Sequence, residues 1–134
     1  MITYHAKLYV LTLVAFLMID GLWLGLIARG FYGKHLGFLL KSNPNWVAAA
    51  GFYVLFVAGL VLFVVLPGLQ HGSVGRVFAY GAFFGLVTYA TYDLTNLATI
   101  KSWPAIVSIV DLTWGMAMGA TLGYVGLLLG RWLQ

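Results

Sequence analysis

The chain has 134 residues, of which 63% are hydrophobic and only 7% are charged, against about 25% charged in an average soluble protein. This composition excludes an ordinary soluble protein, and the length predicts a single integral membrane domain, residues 1–134. The net charge of +4 does not indicate nucleic-acid binding, because the basic residues are scattered over short connecting segments and form no stripe. The absence of cysteine excludes disulfides, thiolate catalysis and zinc–thiolate sites.

The first apolar run covers about residues 8–28 and is long enough to cross a bilayer core, which needs about 20 apolar residues in a helix. Its length, and the acid Asp20 near its end, argue against a cleavable signal peptide. The segment Gly30–Asn45 that follows mixes apolar and basic residues, and we expect it to lie in the membrane interface.

Three further apolar runs follow, at about residues 46–66, 77–100 and 104–130. Only helices or closed barrels satisfy every backbone polar group inside lipid. The runs therefore predict an all-α fold, an antiparallel four-helix transmembrane bundle with a short interfacial segment between its first two helices. Four basic residues in the first and third loops, against three on the other side, weakly favour the cytoplasm for those loops.

The second and fourth helices are preceded by similar sequences, which are Lys41-Ser42-Asn43-Pro44 and Lys101-Ser102-Trp103-Pro104. Serine or asparagine can cap a helix, and proline is favoured in its first turn. The similarity indicates either a duplicated hairpin or shared capping chemistry alone.

All the acidic residues of the chain, Asp20, Asp93 and Asp111, lie inside apolar runs. A carboxylate near the centre of a bilayer costs about 2.5–3.5 kcal/mol on insertion scales. If the runs cross the membrane alternately, each Asp lies roughly 10–12 Å below the same surface at a rise of ~1.5 Å per residue. This common depth predicts a shared pocket. The alternative is that the carboxyls only link helices through hydrogen bonds.

Residues three or four positions from each Asp share its helix face, and Tyr53 of the second run lies at a similar depth. The predicted ligand-binding set is Asp20, Trp23, Tyr53, Tyr89, Tyr92, Asp93, Asn96, Ser108, Asp111 and Trp114. We expect the pocket to open toward the side that carries Arg29, Lys34 and Lys101.

No catalytic residue is identified by a motif, so the candidates are the three acids, Asp93, Asp111 and Asp20. Carboxylates without imidazole would suit a hard cation better than zinc. However, the chain has no Asp-x-x-x-Asp pair, and His5, His35 and His71 lie far apart in terminal or loop positions. We predict neither a metal nor a cofactor.

Glycines recur every fourth residue in the last run, at Gly115, Gly119 and Gly123. Small residues at this spacing let membrane helices approach closely. The ridge predicts either packing within the chain or the interface of a homodimer.

Several short sequence pieces resemble, in order, a family of small bacterial membrane proteins catalogued as domain of unknown function 2177. The pieces are Asp20-Gly-Leu-Trp23, Tyr92-Asp93-Leu-Thr-Asn96, Trp103-Pro104 and Asp111-Leu-Thr-Trp114-Gly115. The resemblance covers essentially the whole chain and implies a multi-pass, four-helix protein of the bacterial inner membrane, but no activity. The size is also similar to that of small multidrug transporters, which centre on a glutamate that this chain lacks.

Three functions remain open on the sequence. The favoured one is binding or proton-coupled movement of a small cation or a cationic amphiphile, with aromatic faces adding cation–π contacts of roughly 2 kcal/mol when desolvated. The alternative is a membrane enzyme that acts on a lipid-like acyl or isoprenoid substrate by Asp acid–base catalysis. The third is a non-catalytic membrane assembly protein. We expect membrane lipids and a small-molecule ligand of unknown identity as partners, and no nucleic acid.

Overall fold

The computed structural model describes all residues from 1 to 134, and the chain is helical throughout, with no β-strand. Its helices, in chain order, are α1 (Ile2–Ile27), α2 (Arg29–Leu36), α3 (Trp46–His71), α4 (Val74–Thr99) and α5 (Ala105–Leu133). Three of them, α1, α3 and α5, are long and apolar enough to cross a membrane. The predicted all-α class is therefore confirmed, and so is the presence of several apolar helices. The 26-residue α4 is as long as α1 but more polar.

The helices continue beyond the apolar runs of the sequence. α1 already begins at Ile2 and α3 continues to His71, because helical hydrogen bonding does not require apolar side chains. The caps also differ from the expected ones. Asn45, which follows Pro44, caps α3 by accepting a 3.1 Å hydrogen bond from the backbone N–H of Ala48. Pro104 occupies the cap position of α5, where no side chain caps the helix.

Two helices contain a π-helical turn. In α1 this turn covers Trp23–Ile27, at its C-terminal end, and in α3 it covers Val61–Val65. A π turn inserts an extra residue and rotates the following side chains, and such turns are frequent at functional sites. The turn in α1 begins at Trp23, three residues after Asp20.

Close backbone contact joins α4 to α5. A methyl group added at Gly85 would lie 1.8 Å from the carbonyl oxygen of Gly115, and one added at Gly81 would lie 2.4 Å from that of Gly119. The residue numbers fall along α5 as they rise along α4, so the two helices run antiparallel. The ridge Gly115–Gly123 is thus occupied by contacts within the chain. A homodimer through these glycines stays a prediction, and it would require this helix pair to separate.

A packed apolar core lies between α1, α3, α4 and α5, with side chains such as Phe16, Leu60, Val77 and Leu122 fully buried. The hydroxyl of Tyr4 donates a 2.8 Å hydrogen bond to the carbonyl of Gly130 and so closes one end of the molecule. The acidic residues lie beyond the core at the other end, where α1 and α4 end and α5 begins.

Candidate functional site

A cavity of about 760 Å³ lies at the end of the helices that carries the acidic residues. Most of the side chains predicted from the sequence line it: Asp20, Trp23, Tyr53, Tyr89, Tyr92, Asp93, Asp111 and Trp114. The remaining two, Asn96 and Ser108, do not line it. The geometry thus brings together carboxyls, phenols and indoles from α1, α3, α4 and α5, while their part in ligand binding stays a prediction.

Asp20 accepts hydrogen bonds from two neutral donors on different helices. The Tyr53 hydroxyl on α3 lies 2.5 Å from one carboxylate oxygen, and Nε1 of Trp114 on α5 lies 3.3 Å from the other. The Asp20 side chain is buried, so these donors compensate part of the free energy lost when it leaves water. They also join α1 to α3 and α5.

Asp111 is paired with Tyr32, which projects from the short helix α2. The Tyr32 hydroxyl donates a hydrogen bond to the Asp111 carboxylate and accepts one, at 3.2 Å, from Nε1 of Trp23. Burial, followed by the hydrogen bond to Asp111, raises the pKa of Tyr32 above the ordinary value for tyrosine. The phenol therefore remains a protonated donor at neutral pH.

The two tryptophans of the cavity stack on each other. The rings of Trp23 and Trp114 are 4.2 Å apart and only 6° from parallel. Each indole N–H is already directed to a partner, Tyr32 or Asp20. The stack and its hydrogen bonds hold the end of α1 against α5 and place an aromatic surface on the cavity.

Asp93 differs from the other acids. Its side chain is 0% exposed, and neither carboxylate oxygen has a hydrogen-bond partner. Its backbone is fixed, because the Ser108 hydroxyl donates to its carbonyl oxygen at 3.0 Å and accepts from Nε1 of Trp103 at 3.0 Å. Ser108 therefore holds α4 against α5 behind the cavity, whereas Asn96 lies nearly one turn beyond Asp93 and is partly exposed.

Two basic residues lie at the rim. Arg29, at the start of α2, and Lys41, in the connection to α3, both line the cavity and are exposed. The opening on the side of Arg29 agrees with the sequence-based expectation, but Lys34 and Lys101 do not line the cavity. No group of three carboxylate or imidazole side chains in the chain is close enough to hold a metal ion.

Sequence reasoning missed several lining residues, notably Tyr32, Lys41, Phe52 and Thr88. Tyr32 and Lys41 belong to the segment that we expected at the interface, and helical spacing cannot relate that segment to the other helices. Phe52 and Thr88 each directly precede a predicted residue, Tyr53 and Tyr89 respectively, and a wider face on α3 and α4 would have included them.

Comparisons with other proteins identify the family of this chain. Nothing matches the chain among curated proteins or among solved structures. A sequence model of the family described as "Predicted membrane protein (DUF2177)" matches residues 5–128, which is nearly the full length. The helical fold, its apolar spans and this match together show that the chain belongs to the DUF2177 family of predicted membrane proteins.

Proposed function

We propose that the protein is a membrane-embedded binding protein for a cationic amphiphile, with Asp93 as the counter-charge. The observation that carries the proposal is the carboxyl of Asp93, which is fully buried at the cavity and has no partner for either oxygen. Leaving a buried polar group unpaired costs about 1–3 kcal/mol, and more when it is charged. A bound cation would supply the partner that the chain does not.

The surroundings favour an organic cation over a metal ion. Metal binding would require several carboxylates around one point, and the acids are not grouped in this way. Asp20 and Asp111 instead have phenol and indole donors. The stacked rings of Trp23 and Trp114 offer an aromatic face on which an alkylammonium group is stabilised by roughly 2 kcal/mol when it is desolvated.

Binding is favoured over passage through the molecule. The cavity lies at one end, and the core behind it is filled by side chains that are fully buried, among them Phe16, Val57 and Leu122. Interiors of this kind contain few voids as large as a water molecule. Proton-coupled movement of the ligand would need this core to open.

We propose further that α4 also crosses the membrane, which gives a four-helix antiparallel bundle in the bacterial inner membrane. α4 packs along α5 through the contacts of Gly81 and Gly85. Since α5 is apolar enough to cross a membrane, a helix packed along it would lie at the same depth in the bilayer. The threonine hydroxyls of α4 donate hydrogen bonds to backbone carbonyls of the same helix. Thr91 and Thr99, for example, each donate to the carbonyl four residues earlier at 2.7 Å, which lowers the cost of placing them in lipid.

The test is binding of dodecylamine to the purified protein in a neutral maltoside detergent, measured by calorimetry. Asp93→Asn keeps the size of the side chain but removes its charge, and we expect binding to weaken at least about tenfold, as for the loss of one ionic hydrogen bond. Asp20→Asn should weaken binding less, because Asp20 already has two donors.

The matched control is Gln134→Lys at the exposed C-terminus. It changes the net charge by the same amount as Asp93→Asn and leaves the cavity intact, so its affinity should equal that of the wild type. Equal affinity of Asp93→Asn and wild type would overturn the proposal.

One observation favours the alternative of a membrane enzyme for a lipid-like substrate. The carboxyls of Asp93 and Asp111 interact electrostatically, and two such carboxyls in a low-dielectric site can divide the roles of acid and base. Incubation of the protein with an extract of bacterial lipids, followed by mass spectrometry, tests this alternative. It requires a product that wild type forms and that both Asp93→Asn and Asp111→Asn fail to form.

A further inference from the structure

The cavity separates its charges by depth. The carboxyls of Asp20, Asp93 and Asp111 are buried, whereas the basic side chains of Arg29 and Lys41 are exposed at the rim. The acidic and basic side chains do not pair with each other. Asp20 and Asp111 accept hydrogen bonds only from phenols and indoles, and Asp93 accepts none. Both groups of side chains thus remain available to a ligand that reaches from the rim to the acids.

A ligand with a positive charge alone would match only the deep part of this arrangement, and the two basic side chains would repel it at the rim. A ligand whose cation is linked to an anion would match both parts. Arginine binds phosphate through paired N–H donors and lysine binds it as a point charge. A phosphate at the rim and an ammonium group near Asp93 would therefore complement the cavity.

The apolar residues indicate where hydrocarbon chains would leave. Leu24 on α1 and Leu40, beside Lys41, line the cavity, and their side chains are 45% and 55% exposed. Hydrocarbon chains would cover such exposed leucines favourably, because water penalises their apolar surface. The rim thus carries two basic side chains and two exposed leucines.

We propose, building on the cation site assigned above, that the ligand is an amine-bearing phospholipid, held head first. Its phosphate contacts Arg29 and Lys41, its ammonium group contacts Asp93, and its acyl chains leave past Leu24 and Leu40. The same head chemistry occurs in free phosphoethanolamine, and the acyl exit favours the lipid.

The test compares four probes on the intact protein in maltoside detergent: short-chain phosphatidylethanolamine, phosphatidylglycerol with the same chains, dodecylamine and free phosphoethanolamine. We expect phosphatidylethanolamine to bind most tightly of the four. Arg29→Gln and Lys41→Gln should each weaken the binding of this lipid about tenfold, which is the effect of losing one charge-assisted hydrogen bond. Neither variant should weaken the binding of dodecylamine. Lys34→Gln, which removes a base of α2 outside the cavity, should leave every affinity unchanged.

The outcomes separate this assignment from the cation site on which it rests. Dodecylamine binding that depends on Asp93 but is as tight as phosphatidylethanolamine binding would leave the cation site standing and make the phospholipid assignment wrong. The same conclusion would follow if neither rim variant changed the affinity for the lipid. If phosphatidylglycerol binds as tightly as phosphatidylethanolamine and Asp93→Asn affects neither, the cation site itself is wrong. Tighter binding of free phosphoethanolamine than of the lipid would overturn the lipid as the source. A variant that merely misfolds would be recognised because it would also bind dodecylamine more weakly.

Discussion

At the scale of single residues, the three carboxyls have different partners although each lies in an apolar helix. Asp20 and Asp111 accept hydrogen bonds from neutral phenols or indoles, and Asp93 has none. Neutral donors satisfy an oxygen without cancelling its charge. Asp20 and Asp111 thus also link helices to one another. The carboxyl of Asp93 has no hydrogen-bond partner within the chain, and a bound ligand would supply one.

Tyr53→Phe tests the linking role of Asp20. We expect the free energy of unfolding to fall by about 1–3 kcal/mol, because a buried carboxylate loses its closer donor. The loss should be smaller when Asp20→Asn is already present, since the buried charge is then gone. Unfolding in mixed maltoside and dodecyl sulfate, followed by circular dichroism, measures both values. Tyr124→Phe is the control, as it leaves the hydrogen bonds of the acids unchanged. An equal loss with and without the Asp20 carboxylate would contradict the link.

At the scale of the helices, the glycines of α4 and α5 decide how closely Asp93 and Asp111 approach. The carbonyl of Gly115 lies where a side chain at Gly85 would begin, so the backbones touch. This contact sets the rotation of α4 against α5 and thereby the positions of Tyr89 and Asp93 at the cavity.

Gly85→Ala should separate α4 from α5. Overpacking costs about 1–3 kcal/mol, and we expect the upper part of that range because the clash at 1.8 Å is with backbone. Dodecylamine binding should weaken as well, since Asp93 moves with α4. Gly51→Ala in α3 is the matched control, because nothing lies within 4 Å of the added methyl, and it should stabilise the helix by roughly 0.5–1 kcal/mol. The same unfolding measurement in mixed maltoside and dodecyl sulfate tests this, and equal stability of the two variants would be incompatible with the close contact.

At the scale of the whole molecule, the proposal of four membrane crossings makes a prediction about sidedness. The chain has no cysteine, so a single introduced cysteine is the only thiol that a maleimide can label. A membrane-impermeant maleimide should label Ser73→Cys and Gln134→Cys from one side of the membrane, and Ser42→Cys and Ser102→Cys from the other. The small excess of basic residues in the first and third loops weakly favours the cytoplasm for the second pair. Labelling of Ser73→Cys and Ser102→Cys from the same side would mean that α4 does not cross.

The sequence by itself determined the helical class, the apolar spans and the occurrence of all acids inside helices. These properties depend on composition and on the length of apolar runs, which are local. Helical spacing also placed Trp23 beside Asp20 and Trp114 beside Asp111, because residues three positions apart share a face. The position of all three acids at one end of the molecule also agrees with helices that alternate in direction.

Only the tertiary structure decided which donors meet which carboxyl. Helical spacing fixes the angle between two residues of one helix, but the rotation of that helix against its neighbours depends on packing, here on contacts such as Gly85 with Gly115. This is why Ser108 lies behind the cavity, although it shares a face with Asp111. Tyr32 reaches Asp111 across 79 positions of sequence, a distance over which no periodic pattern relates two residues. The unpartnered state of Asp93 is likewise a property of everything packed around it, and no property of the residue itself predicts it.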